Sequence, residues 1–202
     1  MTQERPDDLL NFNMIDVAEW LFMLVYETLD AYFSEMAYTP PEPRLEFAFE
    51  VKLQFHRDPS IENVPIGGSR GFVCLEGGTF EGPNFRGKAV PYSGGDYAHF
   101  RADGVVSFEA MYILEEEDGT RILLRNRGYS WFTNEEMAQR WADIKEGKFP
   151  NEKAVPPEGY YFRTFPTFEA PAGKHDWLNK TVIIGAGARS LDGNLIRYYK
   201  VV

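Results

Sequence analysis

The chain has 202 residues, a formal net charge of -10, and 44% hydrophobic and 15% aromatic residues. This hydrophobic fraction is ordinary for a folded domain and excludes a disordered or collagen-like chain. The excess of acidic side chains repels phosphate groups, so we predict no nucleic-acid partner. The single Cys74 forms no intramolecular disulfide, and no Cys/His spacing indicates zinc, so we predict no metal and no cofactor.

The first residues show no basic segment followed by an apolar run, which is the pattern of a secretory signal. The most apolar stretch, residues 14 to 33, is interrupted by Asp16, Glu19, Glu27 and Asp30, which makes it too polar to span a bilayer. The sequence therefore predicts a cytoplasmic protein with no membrane partner.

The first predicted element is an amphipathic helix from about Asn13 to Met36, because apolar residues recur there at spacings of three and four. Pro40, Pro41 and Pro43 end it and form an extended linker. We predict a helical extension over residues 1–40 and a main domain over 41–202. The helix either packs on its own domain, forms a dimer contact, or covers a pocket.

From Leu45 the hydrophobic period changes to two, which predicts a long strand up to about residue 56. Three Asp-Gly pairs, at residues 103–104, 118–119 and 192–193, lie between further predicted strands. Asp-Gly readily adopts the positive φ angles of a type I′ hairpin turn, so we predict three hairpins. A helix is predicted from Asn134 to Lys145, with Gly147 past its end.

Consecutive hairpins build an antiparallel meander, and eight or nine strands usually close into a barrel because closure removes exposed edges. The predicted fold is therefore mostly β: a single antiparallel up-and-down β-barrel, similar to lipocalins or streptavidin. It carries an N-terminal helix and one inserted helix that plugs or flanks it.

No phosphate-binding loop, nucleophile elbow or metal-binding helix motif is present, so candidate site residues come from strand periodicity. Polar residues sharing strand faces mark either a ligand pocket or an ion-pair network if they point inward. They form ordinary surface pairs if they point outward, and periodicity favours neither orientation. The candidate catalytic residues are Asp96, His99, Arg101 and Glu109. The candidate substrate-binding residues are Tyr97, Met111, Tyr112, Arg127, Arg163, Glu169, Trp177 and Asn179.

Several motifs in the second part of the chain resemble a bacterial and fungal family known as domain of unknown function 3237. They occur in the family's order over residues 64–202, and more loosely over 45–63. The matching segments include Gly77–Pro83, Gly94–Tyr97, Tyr161–Thr164, Pro166–Glu169 and Trp177–Asn179. The resemblance implies an antiparallel β-barrel that often forms oligomers, so we expect a homo-oligomer of two or more copies. It implies no established activity.

The chain departs from the family pattern where relatives tend to carry Asp-x-Arg-Tyr. Here the segment is Glu109-Ala110-Met111-Tyr112, so Met111 replaces a cation with an adaptable apolar side chain. We hypothesise from this change a pocket adapted to a bulkier, less anionic ligand. A structure in which Met111 points away from any cavity would contradict the hypothesis.

The sequence therefore favours an enzyme that binds a cyclic or aromatic metabolite inside the barrel and performs cofactor-free acid–base chemistry, of isomerase, lyase, cyclase or lactone-opening type. Glu109, Asp96 or His99 would move the proton, while Arg101 and Arg163 would stabilise negative charge. A non-catalytic carrier of an apolar metabolite and an assembly component acting through the N-terminal helix are the alternatives.

Overall fold

The computed structural model describes residues 14–35, 40–57 and 60–202, and the chain divides into two compact units, Met1–Glu42 and Pro43–Val202. In the first unit, helix α1 spans Met14–Glu35, close to the predicted bounds. The proposed caps Asn11 and Asn13, and the predicted last residue Met36, lie outside the described residues.

The second unit is a closed antiparallel β-barrel, as the sequence predicts. Its nine strands are β1 (Leu45–Arg57), β2 (Ser69–Gly82), β3 (Phe85–Ala89), β4 (Gly95–Phe100), β5 (Val106–Glu116), β6 (Arg121–Phe132), β7 (Tyr160–Glu169), β8 (Ile183–Ser190) and β9 (Gly193–Val201). Each strand except β3 pairs with the next along the chain, and β9 pairs with β1 to close the barrel.

The nine strands occupy eight positions, because β3 and β4 share one. Both pair with β2 on one side and β5 on the other: β3 beside residues 78–82 of β2, and β4 beside residues 69–74. The two segments are thus one interrupted strand, and the connectivity is the up-and-down meander expected from the hairpin pattern.

Strict alternation fails at the start of β1. The pairing of β1 with β9 shifts between Phe47 and Phe49, which is a β-bulge. The bulge turns Ala48 inward and leaves Phe47 partly exposed, whereas Phe49, Val51 and Leu53 point into the core. The prediction that Phe47 shares their buried face is therefore wrong.

The three Asp-Gly hairpins form, but their first two turns are not type I′. A type I′ turn needs positive φ at both of its central residues. In these two turns the glycines, Gly104 (φ 81°) and Gly119 (φ 87°), have positive φ, but the Asp residues before them do not. The amide of Gly119 donates to the carbonyl of Glu116, and the amide of Glu116 donates to that of Thr120. This is the three-residue loop in which a type I turn is followed by a left-handed glycine.

The two ends of the barrel are covered differently. Helix α2 spans Glu135–Lys145, begins at the cap Asn134 and buries Trp141 and Ile144 in the core at the end of β6. Residues 170–180 cover the other end through Leu178 and the buried His175, whose Nε2 lies 2.5 Å from Glu116 Oε2. The structure thus assigns α2 a position flanking one barrel end.

Candidate functional site

The inward faces of the barrel strands carry the even-numbered residues of β5, β6 and β7. Glu109, Arg127, Arg163 and Glu169 are odd-numbered and point outward with exposed side chains. An interior position is therefore wrong for these residues, and the outward orientation that the strand period left open is right. The surface pair considered for Glu109 was with Arg101, but Arg101 pairs with Asp103. Glu109 instead lies opposite Arg127 across β5 and β6, with an Nη2–Oε1 distance of 2.7 Å.

Met111 is also on the outer face, where 45% of it is exposed. Its odd position on β5 places it beside Glu109, away from the barrel core. This overturns the hypothesis that Met111 reshapes an interior pocket. Arg163 stacks on the Tyr161 ring, with its guanidinium carbon 5.1 Å from the ring centre, and so contributes to the outer surface as well.

Tyr97, His99 and Arg101 share the outward side at the end of β4. Tyr97 is 67% exposed, and its ring lies 4.9 Å from the ring of Phe72. His99 Nε2 lies 2.8 Å from the Gly67 carbonyl oxygen, and the exposed Arg101 pairs with Asp103 of its own turn. The expected interior position of these three residues is therefore wrong.

Trp177 and Asn179 belong to the segment that covers the barrel end opposite α2. Trp177 packs against the core, and Asn179 accepts from the amide of Ala170 at 2.7 Å and donates to its carbonyl at 2.9 Å. These contacts stabilise the covering segment. Glu169 pairs with Arg125 at 3.2 Å on the outer face.

Only Asp96 and Tyr112 among the predicted residues lie on inward-facing strand positions. Asp96 shares the face of the buried Ala98, and Tyr112 shares that of Leu114. They belong to a set of polar residues on inward positions of six strands, which we call the interior polar layer. Its members are Asp96, Tyr112, Asn126, Thr164, Arg189, Asn194 and Tyr198.

The charged pair of the interior polar layer is Asp96 and Arg189. Burial raises the pKa of Asp96 to about 6, although the amide of Glu109 donates to Oδ1 at 2.9 Å and the Arg189 charge favours ionisation. Desolvation therefore outweighs both stabilising contacts. The Arg189 guanidinium carbon lies 5.5 Å from the centre of the Phe162 ring, which orients the cation over an aromatic face.

Two tyrosines contribute phenol groups to the same layer. Burial raises the pKa of Tyr112 and of Tyr198, whose side chains lie close to each other without a hydrogen bond, and Tyr198 also lies close to Thr164. Gly185 on β8 makes room for this group, because a Cβ atom there would lie 2.3 Å from Thr164 Oγ1. Both phenols therefore stay protonated at neutral pH and can donate hydrogen bonds.

Five side-chain oxygens of the interior polar layer are buried and have no hydrogen-bond partner within the described parts of the chain. They belong to Tyr112, Asn126, Thr164, Asn194 and Tyr198. Buried polar atoms are nearly always paired, so a concentration of unpaired ones is typical of a site that binds water or a ligand. Next to it, between Arg189 and Trp141 of α2, lies a cavity of about 10 Å³, which holds about one water.

A much larger groove lies on the outer side of β1, β2, β3 and β5, with a volume of about 600 Å³. Its charges are mostly paired: Lys88 and Arg121 both contact Glu115, at 2.9 and 2.7 Å, and Lys52 contacts Glu50 at 3.5 Å. Such exposed pairs are an ordinary solvated surface. The groove is large enough for a ligand, but its charged side chains are mostly paired, whereas the interior polar layer contains buried oxygens without a hydrogen-bond partner.

A smaller cleft of about 180 Å³ brings together three of the predicted residues: Tyr97, Glu109 and Arg127. Tyr129 and Phe165 also line it. These residues form a shallow outer site between strands, and the Glu109 carboxylate is already occupied by Arg127.

Neither a metal cluster nor a membrane-crossing helix is found in the part of the chain that the structure describes. No three His, Cys, Asp or Glu side chains gather there in a way that could hold a metal ion. No helix among the described residues combines the length and apolar character needed to cross a bilayer.

Five members of the interior polar layer are absent from the residues predicted as a site: Asn126, Thr164, Arg189, Asn194 and Tyr198. Asn126 occupies an inward position between Leu124 and Gly128, and Thr164 one between Phe162 and Pro166. A polar residue inside an otherwise buried strand face was the available signal. To use this signal one must know which face of each strand points inward, and the sequence period alone does not determine that face.

The second unit is therefore a closed antiparallel β-barrel with a polar, partly unpaired layer inside it. The family described as "Protein of unknown function (DUF3237)" matches residues 43–201. The chain therefore belongs to this family, as the sequence motifs indicate.

Known relatives agree with this assignment. A UPF0311 protein of Clostridium acetobutylicum is 29% identical over 160 residues, covering 79% of this chain and 95% of that protein. A crystal structure of a β-barrel-like protein from Acinetobacter baumannii superposes with a TM-score of 0.67 at 28% identity, covering 82% and 99% of the two chains.

A structure described as an enzyme from Penicillium herquei has the same fold. Its TM-score is 0.56 at 21% identity, covering 83% of this chain and all of that chain. The similarity at this identity extends to the fold alone.

Proposed function

We propose that the protein is an enzyme that transfers a proton within a small cyclic or aromatic molecule bound at the interior polar layer, with Asp96 as the base. The observation that carries the proposal is a buried carboxyl, whose pKa burial raises to about 6, in a barrel interior where five buried oxygens lack a hydrogen-bond partner. A base of this pKa is poised for proton transfer near neutral pH.

The residues around Asp96 suit a substrate with a ring and a carbonyl or phenolic oxygen. Phe108 and Phe162 provide aromatic contacts, and their rings lie 5.3 Å apart. Asp96 would remove a proton from the carbon next to the carbonyl, and the electron pair of the broken C–H bond would move to the oxygen. Arg189 and the phenols would stabilise that oxygen, and return of the proton to another carbon would complete an isomerisation.

Entry of such a molecule requires a path to the interior. The small cavity between Arg189 and Trp141 lies on the α2 side of the layer, so we propose that movement of α2 and its flanking loops opens this route. The Penicillium herquei protein, which is described as an enzyme, has a barrel of the same fold.

The experiment is a thermal-shift screen with phenols, quinones, lactones and keto acids, followed by incubation of stabilising compounds in D₂O. A ligand at about 100 times its Kd adds about 2.7 kcal/mol to the unfolding free energy. Deuterium incorporation or an isomeric product, detected by NMR, is expected with the wild type. Asp96→Asn is expected to lower the rate by about 10²–10⁴-fold.

Glu109→Gln is the matched control, since it removes a carboxylate from the outer side of the neighbouring strand. It is expected to keep both binding and turnover. Loss of activity in Glu109→Gln with retention in Asp96→Asn would move the site to the outer cleft. A compound that binds through Arg189 but is recovered unchanged would identify a carrier instead of an enzyme.

A further inference from the structure

Helix α1 exposes far more apolar surface than a monomeric protein usually does. Between residues 17 and 34 it carries eleven exposed large apolar side chains, among them Trp20 (64% exposed) and Phe33 (63%). A single helix is marginally stable in water without packing on one face, and exposed apolar patches of this kind mark interaction surfaces.

The charge of α1 restricts what can cover it. The exposed segment contains Glu19, Glu27 and Asp30 and no Lys or Arg. These three acidic residues lie along one side of the helix, while Leu21, Val25 and Leu29 form an apolar stripe on another. Helices that bind anionic membrane surfaces are rich in Lys and Arg, so a lipid surface is a poor match. The chemistry fits an apolar protein surface edged with cations.

The outer side of β6 and β7 is such a surface. Arginine and aromatic side chains occupy neighbouring outer positions of both strands, and we call this surface the aromatic–arginine face. It consists of Arg127, Tyr129, Trp131, Tyr161, Arg163 and Phe165. Trp131 and Tyr161 stack with 3.9 Å between ring centres, which holds both rings in a fixed position.

The dimensions of the two surfaces agree. Helix α1 has 22 residues, about 33 Å at 1.5 Å per residue. Strand β6 has 12 residues, about 40 Å at 3.4 Å per residue. A helix laid along β6 can therefore cover the three exposed aromatic side chains Tyr129, Trp131 and Phe165 together.

From the apolar character that α1 shares with this face, and from the Arg163 cation that can meet the acidic side of the helix, we propose that α1 docks on the aromatic–arginine face of a second copy of the chain, forming a dimer. The barrel strand that follows the linker is β1, and β6 lies four positions away in the eight-position barrel, on the opposite side. The Pro40, Pro41 and Pro43 linker is stiff and extended. Both features favour exchange between two copies.

The first test is sedimentation of the full chain with a matched pair of variants. Trp131→Ala and Phe47→Ala remove aromatic rings that are equally exposed, at 37% each. Phe47 also lies beside a tyrosine ring, Tyr199, but on β1. We expect Trp131→Ala to weaken the dimer at least about tenfold and Phe47→Ala to leave it unchanged. A monomeric wild type, or equal effects of both variants, would overturn the proposal.

The second test identifies which surfaces meet. Full-length chains that carry the photo-crosslinking residue benzoylphenylalanine at position 29 of α1 are prepared with ¹⁴N and with ¹⁵N, and the two preparations are mixed. Mixed-isotope crosslinks from α1 to residues 121–132 or 160–169 are expected. Crosslinks between two α1 helices, crosslinks confined to single chains, or mixed crosslinks to other barrel strands would each overturn it.

Discussion

Burial of the Asp96 carboxyl destabilises the folded barrel at neutral pH, because burial disfavours the ionised form. Its folded pKa of about 6 lies above the ordinary value of 3.8, so the folded state holds the proton more tightly than the unfolded state. Between these two pH values the free energy of unfolding therefore falls as pH rises, and the loss is complete above about pH 6.

Asp96→Asn is therefore expected to stabilise the protein at pH 8 and to leave it nearly unchanged at pH 4. A shift of about two pKa units corresponds to at most about 3 kcal/mol, and partial exposure reduces it to about 1–3 kcal/mol. Urea unfolding at both pH values measures the difference. Glu109→Gln, which removes an exposed carboxylate, should change stability by no more than about 0.5 kcal/mol at pH 8. An Asp96→Asn variant that is less stable at pH 8 would contradict the account.

At the scale of secondary-structure elements, α2 begins with a side-chain cap that holds it in place. Asn134 has an extended backbone, and its Oδ1 accepts a hydrogen bond from the Met137 amide at 2.9 Å. The helix then places Trp141 and Ile144 against the barrel core. The cap therefore connects the local sequence Thr-Asn-Glu-Glu to the covering of one barrel end.

We expect Asn134→Ala to lower the free energy of unfolding by about 1 kcal/mol, because the amide of Met137 loses its acceptor. Asn134→Ser, which retains a capping oxygen, should stay close to wild type. Chemical denaturation followed by tryptophan fluorescence reports the change. Equal destabilisation by both substitutions would show that the position matters for a reason other than capping.

Element-level prediction from the sequence succeeded where the signal is local. The hairpins follow from Asp-Gly pairs, α2 from a capping residue and α1 from hydrophobic period, and the family motifs agree with the closed barrel. Which side of each strand points into the barrel could not be predicted, because a hydrophobic period of two fits either orientation. The bulge at Phe47–Phe49 and the placement of Glu109 and Met111 outside show how tertiary closure decides the face. Asp96 and Tyr112 were predicted, whereas Tyr198, Thr164 and Asn126 required the closed structure.

At the scale of the whole molecule, the barrel contains its own complete core, since every residue of the hydrophobic cluster lies between Ala48 and Tyr198. The family match likewise begins at residue 43. Helix α1 is therefore an addition to a self-sufficient domain. Its exposed apolar surface is then best explained by assembly, as proposed above.

We expect the fragment 43–202 to unfold cooperatively with a melting temperature independent of protein concentration. The full chain should melt at a higher temperature as its concentration rises, because dimerisation stabilises the folded state by mass action. Scanning calorimetry at several concentrations measures both. An unfolded fragment, or a full chain whose melting temperature does not change with concentration, would contradict this division of roles.

The measurement that tests the central claim most directly is an NMR pH titration of the Asp96 side-chain carboxyl carbon, assigned by comparison with Asp96→Asn. The account predicts a midpoint near pH 6, which is the value that burial opposite Arg189 gives to a proton-transferring base. A midpoint near the ordinary 3.8 would show a solvated carboxylate. It would remove Asp96 from the proposed chemistry and the interior polar layer from the proposed site.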